Sequence, residues 1–423
     1  MMTNPKAPYK NSELFDKLNV FFGESMNLAR IKFISLMILA LCKVQTVSFY
    51  KLSTAFESGS DALSCMRRIQ RFMSSYALDF DLIARLVMLL LPHKGPYTLS
   101  MDRTNWQFGH TDINALVLGI TYEGVAFPIL FRLLPKRGNS NTQERIDIID
   151  RFIKLFGKSS IESLTGDREF VGEQWLEYLN REGIPYHLRI RENFWVKDPR
   201  TGKEFKAFWV FNRLQLKQSM ILPHIYYVNN QLCYLAAARL KNQEGKPELQ
   251  IIVSYNRPEK ALDSYKKRWQ IETCFRAMKS SGFNVEDTHL THLDRIERLF
   301  AIMIIAFTWA YLTGIHKHLF IVPIRILKHG RRAKSIFKYG LEEIANCLLN
   351  PCYKAQFNIM KGDKQRKDEA IYKEYQSALR RFNNQLKSLS RELRLKSTVT
   401  SYTLRHKGFP FLLKFNSLQN ISA

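Results

Sequence analysis

The chain has 423 residues, 46% of them apolar, and a formal net charge of +26 with a pI near 9.8. That apolar fraction excludes wholesale disorder, and the length suits two to four domains. So large a cationic excess implies a polyanionic partner, nucleic acid first, with anionic lipid or mere basicity as the alternatives. The six cysteines (Cys42, Cys65, Cys233, Cys274, Cys347, Cys352) form no CxxC pair. That argues against a zinc ribbon or a disulfide framework and for a reducing, cytoplasmic setting. The N-terminus, MMTNPKAPYK, lacks the charged start and apolar run of a signal peptide.

Residues 1–94 read as a helical region. Apolar positions recur at helical spacing in LNVFFGESMNLARIKFISLMILALCKV and again in LDFDLIARLVMLLL. Between them a short helix, a Gly-Ser-Asp break and a second helix bearing Arg67, Arg68 and Arg71 suggest a helix-turn-helix unit for DNA. An ordinary helical hairpin with a solvated basic face fits equally well.

From Pro96 the pattern changes. YTLSMDRTNW reads as a strand closing at Asp102, and INALVLGITY and VAFPILFRLL flank a hairpin turn at Glu123-Gly124. GNSNTQERIDIIDRFIKLFG is a loop and helix with Thr142 as N-cap. IESLTGDREF is a strand closing at Asp167, EQWLEYLNREG a helix and IPYHLRIR a strand. Three antiparallel strands followed by alternating helices and strands is the order of an RNase H-like α/β core, whose first part spans 95–191. Residues 192–249, with the strand-like runs FWVF, HIYYVN and QLCYLAAARL, read as a mostly β insertion. IIVSYN returns to the sheet, and Pro258 opens a helix in its first turn. EKALDSYKKRWQIETCFRAMKSSG then runs as one helix to Gly282 and, with the helix after it, completes the core over 250–315. Within that second helix the uncharged stretch Leu299 to His316 is slightly short for a membrane span and reads as buried core. Residues 316–423 form a basic helical C-terminal region, with 22 Lys+Arg against 7 Asp+Glu.

Two-metal phosphodiester cleavage needs several carboxylates converging on one point, with the ions about 3.5–4 Å apart. Magnesium prefers such hard oxygen ligands. Asp102 and Asp167 share a strand-then-Asp-Arg context, MDRT and GDRE, and ligand groups gather at the ends of neighbouring strands in an open sheet. Each aspartate alone reads better as a strand-terminal turn residue; the pair is more informative. On a regular helix, with Tyr265 at zero, Arg268 falls at about −60°, Glu272 at about −20° and Lys279 at about −40°. Trp269 then lies at about +40° and Arg276 at about +20°. One stripe thus carries a carboxylate, three cations and two aromatics, suited to holding a metal while gripping phosphates. An ion-paired surface helix is the competing reading.

Tyr265-x2-Arg268-x3-Glu272-x6-Lys279 resembles the YREK signature of a large group of bacterial insertion-sequence transposases, the family numbered four. MDRTNW, GNSNTQER and GDREFVG resemble its flanking pieces, and the likeness runs from about Phe33 to Lys338. The resemblance implies a DDE transposase with an RNase H-like core interrupted by a β insertion. Asp102, Asp167 and Glu272 would bind two Mg2+ ions, with Mn2+ as a substitute. Tyr265, Arg268 and Lys279 would contact phosphates at the element's terminal inverted repeats, with Arg276 beside them. Trp269 stands where relatives stack a flipped base at a hairpin end, and Trp209 of the insertion is a candidate second stacking residue. Cutting two ends and joining them to target DNA calls for a homodimer and no membrane. A nuclease or resolvase without strand transfer, and a non-catalytic DNA-binding descendant, are the rival readings. His289 and His292 read as DNA-facing or structural rather than as ligands. ILKHGRRAKSIFKYG is a phosphate-binding candidate, and KGDKQRKDEAIYKEYQSALRRFNNQLKSLSRELRLK a charged helix that grips DNA, pairs subunits or is simply solvated.

Overall fold

A computed structural model describes residues 12–350 apart from positions 109 and 243; Cys352 and the charged run KGDKQRKDEA… lie outside the described residues. By internal contacts the chain divides into one unit of residues 1–315 with 324–349 and another of 316–323 with 350–423. The first unit carries all the elements that matter below.

It opens with five helices: α1 (Ser12–Phe22), α2 (Leu28–Val44), α3 (Phe49–Thr54), α4 (Ala62–Ser75) and α5 (Phe80–Leu90). Apolar nearly all round, α2 is buried along most of its length, as such a helix must be. By contrast α4 is two-faced, turning Cys65, Ile69, Phe72 and Met73 inward. Its first turn is capped by Asp61, which accepts from the Ser64 amide at 2.9 Å.

Strands β1 (Tyr97–Phe108), β2 (Thr111–Tyr122) and β3 (Val125–Leu134) form an antiparallel meander. Glu123 and Gly124 both take positive φ, 47° and 89°, as a two-residue hairpin turn matched to strand twist demands. α6 (Thr142–Phe156) starts one residue earlier than its sequence suggests. Asn141, not Thr142, is the cap, because it stands three residues before Glu144. Its side chain accepts from the Glu144 amide at 2.8 Å while the Glu144 carboxylate accepts from the Asn141 amide at 2.7 Å. β4 (Ile161–Gly166), α7 (Glu173–Arg181) and β5 (Tyr186–Ile190) follow, with β1, β4 and β5 parallel.

The insertion holds β6 (Trp195–Lys197), β7 (Glu204–Lys206), α8 (Ala207–Phe211), β8 (Ser219–Val228) and β9 (Gln231–Lys241), and β10 (Pro247–Ser254) closes it. FWVF is helix rather than strand: it lies within α8, where Ala207 and Phe211, one turn apart, are both buried. The inserted strands extend the core sheet instead of forming a separate layer, in the order β3-β2-β1-β4-β5-β10-β9-β8-β6-β7. The fold is therefore α/β, and its first five strands stand in the RNase H-like order. α9 (Ala261–Lys266), α10 (Trp269–Met278), α11 (Leu293–Phe320) and α12 (Ile336–Leu349) complete the described chain. By length and apolarity α11 could cross a membrane, yet most of that stretch is buried in the protein. Phe300 and Phe307 pack on Phe131 and Phe127 of β3, with ring centroids 4.9 and 6.0 Å apart. It is a core helix covering the meander.

Candidate active site

The register of the sheet brings the two aspartates together. In the parallel β1–β4 ladder Met101 pairs with Gly166, so Asp102 and Asp167 are the next residue on each strand. Asp167 leaves the sheet there. Asp102 does not: β1 runs on to Phe108 because its antiparallel partner β2 continues beside it. It stands where the parallel pairing stops, in mid-strand.

Glu272 comes from α10, and the single helix of the sequence reading is broken before it. The amides of Lys267, Arg268, Gln270 and Ile271 all bond three residues back, at 2.9–3.1 Å. The backbone is thus overwound into a 3-10 turn between α9 and α10. Ser100 of β1 pins the junction by donating to the Arg268 carbonyl at 3.4 Å. A uniform stripe of about 100° per residue consequently does not hold. Tyr265 and Arg268 turn inward, each 7% exposed, while Arg276 is exposed to solvent. α10 ends at Met278 rather than continuing to Gly282.

Two side chains, Tyr265 and Arg268, tie this turn to the aspartates. Tyr265 Oη donates to Asp167 Oδ1 at 3.3 Å. Arg268 donates from one terminal nitrogen to Asp102 at 3.2 Å and from the other to Glu272 at 2.7 Å. Lys279 Nζ donates to the Asn105 carbonyl at 2.7 Å, further along β1, and pairs with Glu286 at 3.1 Å. Trp269 is 45% exposed, with the Arg268 guanidinium 5.6 Å from its ring.

Burial dominates the electrostatics. It pushes the Asp102 carboxyl up to about 6, against the pull of Arg268. Burial also raises the Tyr265 phenol to about 12, so it stays a hydrogen-bond donor. For Arg268 burial alone would lower the value, but Tyr265 and the surrounding carboxylates hold it above the ordinary range. The centre thus has Asp102 and Glu272 sharing one fixed cation, Arg268, with Asp167 held beside them by Tyr265.

As they stand, no three His, Cys, Asp or Glu side chains among the described residues are close enough to hold an ion. The donor chemistry still suits one, since Asp102 and Glu272 are hard oxygens already sharing a positive charge. A divalent ion held by Asp102 and Glu272 would take over part of the neutralising role of Arg268. Neither His289 nor His292 joins them: His289 packs its edge on Phe108 at 5.0 Å. Trp209 stands in α8, 60% exposed and stacked on Phe208. Sequence reasoning missed Arg103, the arginine of the first Asp-Arg pair, and Glu169, the residue after the second; the doubled context MDRT and GDRE marks both positions but not that they pair across 66 residues.

Residues 93–309 match the family model of the transposase DDE domain. The chain belongs to this family. Its domain begins just before β1 and ends within α11, so all three carboxylates fall inside the matched segment. Among solved structures the transposase is similar to a piggyBac transposase synaptic complex with hairpin DNA, determined by cryo-electron microscopy. That likeness has a TM-score of 0.44 and 11% identity, covering 84% of this chain and 81% of the other. No curated protein matches the sequence.

Proposed function

We propose that this transposase cuts DNA at the ends of an insertion sequence and joins the freed ends to target DNA. Asp102, Asp167 and Glu272 serve as ligands for two Mg2+ ions. The supporting observation is the convergence of Tyr265, Arg268 and Glu272, three members of the YREK pattern, on the two strand aspartates. Bound there, divalent ions supply an activated oxygen nucleophile and stabilise the leaving oxygen. Tyr265 orients Asp167 by a hydrogen bond; Arg268 fixes the carboxylates before the ions arrive and then has donors free for a phosphate. Lys279 lies along β1 as a second phosphate contact. Trp269, beside Arg268 and half in solvent, stacks an unpaired base when an end passes through a hairpin. Two ends must be handled at once, so the working form is a homodimer.

The DNA seat lies beside α4. A cleft of about 1090 Å³ is lined by Arg67, Arg68, Arg71, Arg295, His289 and Tyr50, with no Asp or Glu on its walls. On α4 the spacing puts Arg67, Gln70, Arg71 and Ser74 on one face, opposite the buried residues. Such a helix fits the DNA major groove, and unpaired arginines suit the phosphates beside it.

The test uses purified protein, Mg2+ and a labelled duplex carrying the element's terminal repeat. Asp102→Asn and Glu272→Gln are expected to abolish cleavage while leaving binding in EDTA intact. Cleavage persisting in either variant overturns the assignment. Cleavage by the native chain without joining to a second duplex would instead favour a nuclease lacking strand transfer.

A further inference from the structure

Asp167 is the first residue beyond β4, so no ladder hydrogen bond holds it. Its backbone is restrained locally only by a turn in which the Phe170 amide donates to the Asp167 carbonyl at 2.9 Å. A two-metal centre demands that its carboxylates be held to a fraction of an ångström, and one turn is weak support for that. A second restraint comes from β1.

We infer that Arg103 and Glu169 form a clamp that sets the separation of Asp102 and Asp167, as positioning residues for the metal-binding carboxylates; this rests on the reading of those aspartates given above. Arg103 Nε donates to Glu169 Oε1 at 2.7 Å and Nη2 to Oε2 at 2.6 Å, a bidentate pair. Nη1 donates to the Gly138 carbonyl at 2.6 Å and to Asn114 at 3.2 Å, and Nη2 also to Asn139 at 2.8 Å. All five N–H groups of the guanidinium are used. Three segments meet on it: the β4–α7 loop, the loop before α6, and β2. The Arg103 amide meanwhile donates to Asp102 Oδ1 at 2.8 Å. One residue therefore orients the first aspartate through its backbone and holds the loop of the second through its side chain.

Two further facts point to positioning over stability. The pair is well shielded, with 15% and 21% of the two side chains exposed. Ion pairs so shielded contribute little net stability over apolar residues, whereas a planar bidentate pair fixes geometry. The loop is also braced from behind: Arg145 donates to Ser140 at 2.9 Å and lies 5.1 Å over the Phe170 ring. Glu169 thus sits between a fixed strand and a fixed helix start, two residues from Asp167. All five guanidinium donors of Arg103 are taken up within the protein, so the clamp's effect runs through the aspartates.

The experiment compares Arg103→Lys, Glu169→Gln and Asp102→Asn in the full chain. Mn2+ affinity is measured by calorimetry without DNA, and duplex affinity in EDTA by fluorescence anisotropy. Melting in EDTA shows whether each variant folds. Arg103→Lys keeps the charge but loses the fork, and Glu169→Gln keeps the shape but loses the charge. Both are expected to fold, to bind duplex within about twofold of the native chain, and to lose about 10–100-fold in Mn2+ affinity, the usual effect of removing a ligand's orienting partner. Cleavage should recover as Mn2+ is raised. Native Mn2+ affinity in both folded variants overturns the clamp. Asp102→Asn separates the two claims: if it too binds Mn2+ normally the carboxylate reading fails, and if it alone loses Mn2+ only the clamp fails.

Discussion

Arg268 and Asp102 meet at 3.2 Å across 166 residues of chain, the arginine from the turn before α10 and the aspartate from mid-β1. The same guanidinium holds Glu272, so one cation balances two partly buried carboxylates. It does so incompletely, since burial still keeps the Asp102 carboxyl near 6. Neutralising that side chain should relieve the strain of its burial. Asp102→Asn is expected to unfold at higher urea than the native chain in EDTA at pH 8. The gain has a ceiling of about 3 kcal/mol from the pKa change, in which the attraction of Arg268 is already counted. Arg268→Ala should do the reverse, losing about 3 kcal/mol by leaving Asp102 buried without a partner. Unfolding curves for the two variants moving in the same direction would contradict this account.

Two buried groups pull the acid-side stability in opposite directions. Asp102 binds its proton more tightly folded, about 6 against an ordinary 3.8. Its favourable contribution is therefore complete below the lower value and lost as pH rises through 6. His187, packed on Ser254 at 2.9 Å, is lowered by burial from 6.5 to about 4. The folded chain holds that proton less tightly, so its contribution is full above pH 6.5 and lost as pH falls towards 4. Each amounts to about 3 kcal/mol at its extreme. Relative to the native chain, His187→Gln should gain stability as pH drops from 7 to 4.5, and Asp102→Asn should gain as pH rises over the same window. Urea midpoints at four pH values check both signs.

Local chemistry was legible in the sequence where it has a local cause. Glu123-Gly124 announces a hairpin because a tight turn needs positive φ, and the strand-then-Asp pattern finds Asp167 at the end of β4, whereas β1 runs on past Asp102 to Phe108. The overwound turn at Lys267–Arg268 leaves no such mark. Both residues keep ordinary helical dihedrals, and only the hydrogen-bond partner shifts from four residues back to three. That shift decides that Arg268 points inward and Arg276 outward, a distinction a uniform helical wheel cannot make. Glu169 was invisible as a partner because Arg103 stands 66 residues away. Likewise FWVF looks like a strand by composition, and its helical form depends on burying Ala207 and Phe211. Long-range packing, not propensity, settles such segments.

Trp269 offers a separable test of base stacking. Its ring is 45% exposed and flanked by the Arg268 guanidinium, so it is available to a base yet held in place. Stacking on an aromatic ring is worth about 1–3 kcal/mol per base. Trp269→Ala should therefore weaken binding to an end with one unpaired base by about 5–100-fold, with little change for a fully paired duplex. Equal losses for both DNAs would assign the residue to general contact, and no loss for either would remove it from the interface.

The guanidinium groups of Arg67, Arg68 and Arg71 make no hydrogen bond or ion pair among the described residues, while Arg103, Arg132, Arg151, Arg189, Arg268 and Arg298 are all matched to carboxylates. Unpaired cations on a wall without Asp or Glu repel one another until a polyanion arrives. Duplex binding at this cleft should accordingly release counterions, and the slope of log affinity against log salt reports how many phosphates are neutralised, about 0.9 per contact. Arg67→Ala with Arg71→Ala is expected to lower the slope by about 2, whereas Arg67→Lys with Arg71→Lys should leave it near the native value. Exposed Arg85, on α5 and outside the cleft, is the control. Asp102→Asn in EDTA makes a suitable background, since it is expected to bind without cutting. If the double alanine variant keeps the native slope, the duplex does not lie against α4, and the basic face there is only solvated.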